Sequence, residues 1–91
     1  MALHSTPLET SGIVVEGTAS LAGHAWAEES GTSTASIKYH EGEDRNGPVI
    51  MMVNLAANES VTDFFDGKTI QVHTGLYVEI TGNVCGSVFT E

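Results

Sequence analysis

One cysteine, three basic residues, two prolines and a single tryptophan are all that these 91 residues hold of four informative kinds. A lone Cys85 excludes an intramolecular disulfide, and inside an apolar run it reads as a packed thiol rather than a reactive one. Lys38, Arg45 and Lys68 are the only cations, against twelve acidic residues, and the net charge is −9. So few cations cannot release counterions from nucleic acid or hold an anionic lipid surface, which excludes both as partners. No apolar run approaches the roughly 20 residues that cross a bilayer. Met1–Ser5 carries neither the positive segment nor the apolar run of a secretory signal, so folding in a reducing cytoplasm is the expectation.

Nor does any stretch hold a sustained helical stripe. The closest competitor is Ser20–Glu29, rich in Ala, Leu and Glu, where Gly23 and the absence of a 3.6-residue period favour a strand. Apolar, β-branched runs punctuated by turn residues are what remain. Gly12–Gly17 reads as the first strand, followed by Ser20–Glu29, Thr32–Glu41, the apolar run Val49–Leu55, and Asn58–Asp66 bending near Phe64 and Phe65. Asp66-Gly67 is a hairpin signal into Lys68–His73. The last three runs, Ile70–His73, Leu76–Ile80 and Val84–Phe89, read as a β-meander with Leu76, Val78, Ile80, Val84 and Val88 in the core and Tyr77 and Glu79 outward. Val49–Leu55 is apolar on both faces for most of its length, which predicts a central strand or one whose second face meets another chain.

Seven to eight short strands with turns every eight to twelve residues predict an all-β fold, a small antiparallel β-sandwich of jelly-roll or immunoglobulin-like type. Residues 1–11 hold Pro7 and no periodicity, predicting an extended N-terminal arm rather than a strand; residues 12–91 form the single sandwich domain. A chain this short buries only roughly 60–65% of its unfolded surface, which favours assembly with further copies.

The chemistry-bearing residues do not combine. The loop EGEDRNGP, Glu41–Pro48, is acidic, but the EF-hand register through Gly47 puts Gly42 at the first ligand position and Val53 at the twelfth. His4, His24, His40, His73 and Cys85 lack zinc-ligand spacing, and His24 and His40 fall on faces shared with polar residues, which predicts surface imidazoles. His73 lies at a turn, away from Cys85, which the meander would set near Glu79 or Tyr77; no nucleophile finds a base. The glycines never gather into a phosphate-binding loop. A non-enzymatic protein without metal or cofactor is expected. Contact anchors are sought among Leu3, Pro7 and Leu8 of the arm, Ile50 and Met52 of the apolar run, and the aromatic residues Trp26, Tyr39 and Tyr77, since amphipathic rings concentrate at interface hot spots.

The loop EGEDRNGPVI entering an apolar strand, then Gly75-Leu76-Tyr77-Val78, a short turn, and the terminal Gly86-Ser87-Val88-Phe89 resembles a group of small virion structural proteins of tailed bacteriophages. The resemblance covers about the C-terminal half. It implies a head decoration, or cement, protein made in the host cytoplasm and bound to the outer capsid surface. The implied partners are the major capsid protein and further copies of the chain, with a trimer as the expected form. A carbohydrate- or ligand-binding adsorption module using Trp26, Tyr39 and Tyr77 as stacking surfaces is the alternative, as is a tail or fibre component.

Overall fold

Residues of β-branched and aromatic type fit a pleated, half-buried surface, and the chain builds its strands from them. A computed structural model describes residues 3–65 and 68–91. Among these the strands are β1 (His4–Leu8), β2 (Gly12–Val15), β3 (Ala19–Glu28), β4 (Ala35–Glu41), β5 (Val49–Leu55), β6 (Ser60–Phe64), β7 (Ile70–Val72), β8 (Leu76–Thr81) and β9 (Val84–Thr90), with no helix. One sheet has the order β1-β9-β3-β6, with β7 also paired to β3; the other has the order β2-β8-β4-β5. All pairings are antiparallel. The small β-sandwich expected from the strand pattern is the fold observed, and its core packs Leu21, Trp26, Ile37, Tyr39, Leu55, Val72, Leu76, Val78, Val84 and Val88 between the sheets.

A bulge in β3 decides which side chains enter that core. Leu21 pairs with Thr90 and Gly23 with Phe89, leaving Ala22 as the extra residue. An extra residue shifts the alternation by one. Leu21 therefore points inward, and so do His24, Trp26 and Glu28, all buried, while Gly23, Ala25 and Ala27 turn outward. Gly86, opposite Trp26, leaves the space its indole needs: a Cβ there would stand 2.7 Å from the ring carbon Cε3.

Several expectations change on this frame. The N-terminal segment is not a free arm, because His4–Leu8 pairs along the whole of Thr90–Gly86. Pro7 is tolerated since β1 is an edge strand, where a missing N–H can face solvent. The C-terminal meander is absent: β7 lies on β3, β8 between β2 and β4, and β9 between β1 and β3. The chain thus crosses from one sheet to the other between β7 and β8 and again between β8 and β9, and Cys85 comes to lie opposite Ala27 rather than near Glu79 or Tyr77. β5 is an edge rather than a central strand. The hairpin signal Asp66-Gly67 lies outside the described residues; the flanking strands β6 and β7 both run antiparallel to β3.

Candidate functional site

Three neighbourhoods gather polar or aromatic side chains. The first joins the sheets. Trp26 and His24 come from β3 and Tyr39 from β4; the indole Nε1–H donates to the Tyr39 hydroxyl at 2.8 Å, and that oxygen lies 2.8 Å from His24 Nδ1. An indole can only donate, so the phenolic proton finds its acceptor in an unprotonated Nδ1. Burial lowers the His24 pKa against the opposing charge of Asp63, and burial raises that of Tyr39 despite the bond from Trp26. Both groups are thereby held neutral. The His24 ring stacks on Tyr39 at 5.7 Å and meets Phe65 edge-on at 5.6 Å. This relay has no nucleophile and fixes the two sheets in register.

Trp26 and Tyr39, 2% and 0% exposed, are therefore core residues and not surface anchors. The Ala22 bulge explains the first, and the inward alternation Ala35, Ile37, Tyr39 the second. Two of the three stacking surfaces expected of a carbohydrate-binding module are lost with them, and Tyr77 stands half-buried. His24 is likewise buried rather than surface-exposed.

The second neighbourhood is on the outer face of β4 and β8. His40 is buried too, against expectation, because the loop between β4 and β5 folds over it: Nδ1 lies 2.8 Å from the Gly47 carbonyl oxygen and Nε2 2.8 Å from Glu79 Oε1. Both partners are acceptors, so the ring is held between two oxygens, one from the loop and one from β8. The bond from His40 holds the Glu79 carboxyl below the usual carboxylate range, helped by the charges of His40, Lys38 and Arg45 against the opposing effect of burial. Tyr77 meets the His40 ring edge-on and stands half-buried, with Arg45 beside its hydroxyl. Of the acidic loop's carboxylates, Asp44 Oδ1 accepts from the Asn46 amide within the loop and Glu41 Oε2 from the His73 amide. Among the described residues no three His, Cys, Asp or Glu side chains form a metal-holding group.

The third neighbourhood is the outer face of the β3 sheet. The register aligns Phe64, Gly23, Phe89 and Ser5 in one row, Thr62, Ala25, Ser87 and Pro7 in the next, and Ser60, Ala27 and Cys85 in a third. None of these carries a formal charge at neutral pH. Phe64 and Phe89 stack at 5.2 Å on either side of Gly23, where two rings cover the position that has no side chain of its own. Glu29 and Glu9 stand at the rim beside Cys85, whose thiol is pushed up by its hydrogen bond with Glu29, by burial and by both negative charges. Such a thiol is a poor nucleophile.

Of the remaining anchors sought in the sequence, Leu3 and Met52 are exposed, Pro7 is exposed on the outer β3-sheet face, and Leu8 and Ile50 are half-buried against the core. The signal of the small-residue face stands in Gly23, Ala25 and Ala27, which are too small to fill a core. The chain matches no protein-family model, no curated protein and no solved structure.

Proposed function

We propose that this chain is a non-enzymatic virion structural protein, a decoration protein that seats on the outer surface of a phage head and bridges neighbouring copies of the major capsid protein. The observation that carries the reading is the uncharged outer face of the β3 sheet, on a chain of net charge −9. A protein that repels polyanions and most acidic surfaces keeps here a region where close approach costs little electrostatic energy. Ala25, Ala27 and Ser87 let a partner backbone come near, while Phe64, 55% exposed, offers an apolar side chain to bury. The acidic remainder suits the exterior of a shell filled with DNA rather than its lining. The resemblance of the C-terminal strands to small phage virion proteins points the same way, and many copies on one lattice turn a modest contact into stable attachment.

Purified particles test it. The chain is expected to co-purify with heads at a fixed stoichiometry and to be removed from intact particles without release of DNA-bound material; its absence from purified particles would remove the reading.

A further inference from the structure

The sheet edges are guarded unequally. β1 carries Pro7; β2 has four residues and an irregular register between Ile13 and Val15; β6 holds Asp63, and β7 is three residues long. Short strands, proline, charge and bulges are the means by which proteins blunt an edge. β5 reads VIMMVNL over seven residues with no proline and no charged side chain. Its one irregularity falls opposite Tyr39 and His40, and Met51–Leu55 runs in unbroken register along Tyr39–Ala35. Val49 and Met52 are 52% and 50% exposed.

We propose that the open edge of β5 pairs antiparallel with β5 of a second copy, about a two-fold axis near Val53, joining their four-stranded sheets into one continuous sheet. Charge selects the occupant. Two copies of net charge −9 repel over most of their surfaces, yet β5 is neutral and β4 behind it holds only Lys38 and Glu41, which cancel. A neutral strand laid antiparallel on itself sets no like charges opposite each other. A basic partner would instead be drawn to the acidic surface, away from this edge. A single strand pair buries less than the roughly 1,200 Å² of a standard interface, so the free dimer forms at high protein concentration and is strengthened by salt, which screens the remaining repulsion.

Sedimentation equilibrium of the full chain, with hydrogen exchange across the same concentrations, tests the junction. The mass is expected to rise from that of the 9.6 kDa chain to twice it, with β5 amides gaining protection in step. Met52→Lys and, independently, Asn54→Lys should abolish both effects and leave the circular dichroism unchanged; both sites are exposed, and either variant suffices if the other fails to fold. A strict monomer at millimolar concentration overturns the proposal. So does a trimer, which needs a head-to-tail contact, a dimer indifferent to both folded lysine variants, or β5 protection that appears only on adding particles. Particle docking uses the opposite sheet and can survive each of these results.

Discussion

The indole Nε1 of Trp26 stands 2.8 Å from the hydroxyl oxygen of Tyr39, and this bond crosses from one sheet to the other. It is continued by His24 on the strand that carries Trp26. A core of otherwise aliphatic side chains packs without directional preference; the relay adds one arrangement in which every buried polar atom has a partner.

Tyr39→Phe removes the shared hydroxyl and leaves the Trp26 N–H and His24 Nδ1 facing apolar surroundings. The expected loss is about 1–3 kcal/mol of unfolding free energy, the cost of unmade buried hydrogen bonds. Trp26 is the only tryptophan, so its fluorescence in a denaturant titration reads the change directly. An unchanged midpoint would show that the relay is incidental to stability.

Gly86→Ala places a methyl group against the Trp26 ring and the Ala25 backbone. Overpacking of this kind typically costs about 1–3 kcal/mol, and the thermal midpoint should fall accordingly. Ser87→Ala, one residue along but on the outer face, should leave it within experimental error.

Glu28 accepts from the backbone amides of Ser30, Gly31 and Asn58, and the bond from Asn58 together with those from Ser30 and Gly31 holds its carboxyl down to about 2 against the effect of burial. A carboxyl depressed in the folded state contributes stability that is whole above its unfolded value of about 4.3 and is lost as pH falls through the folded value. Stability should therefore decline between about pH 5 and 2, and Glu28→Gln should flatten that decline. A variant whose acid profile matches the parent would show that the carboxylate adds nothing to the turn.

His40→Ala deletes both the bond to Gly47 and the one to Glu79. Amides of the loop 42–48 should then exchange at least several-fold faster, while those of β3 and β9 keep their protection. Equal loss across both sheets would mean that His40 supports the whole fold rather than the loop.

Strand positions were legible wherever one residue type alternated cleanly. β5 occupies the very run VIMMVNL read as a strand, and Leu76 and Val78 enter the core as their alternation requires. The site was less legible, for reasons of register and connection. The Ala22 bulge has no composition of its own, so nothing in Ser20–Glu29 tells that Trp26 turns inward and Ala25 outward. Thr74-Gly75 and Gly82-Asn83 are turn residues whether the chain doubles back in one sheet or crosses to the other. His40 alternates as a surface residue should, and is buried because the loop after β4 turns back over it, a path that alternation does not encode. Pro7 argues against a strand in local terms, and only its edge position reconciles it with one.

The central claim is that the neutral face around Ala25 seats the protein on a capsid. Co-sedimentation of labelled chain with heads lacking it measures this directly, comparing the parent with Ala25→Glu, which adds a charge at the middle of that face and leaves the core untouched. Saturable binding by the parent and its loss by at least tenfold in the folded variant is the predicted result; equal binding by both, or no binding by the parent, would contradict it.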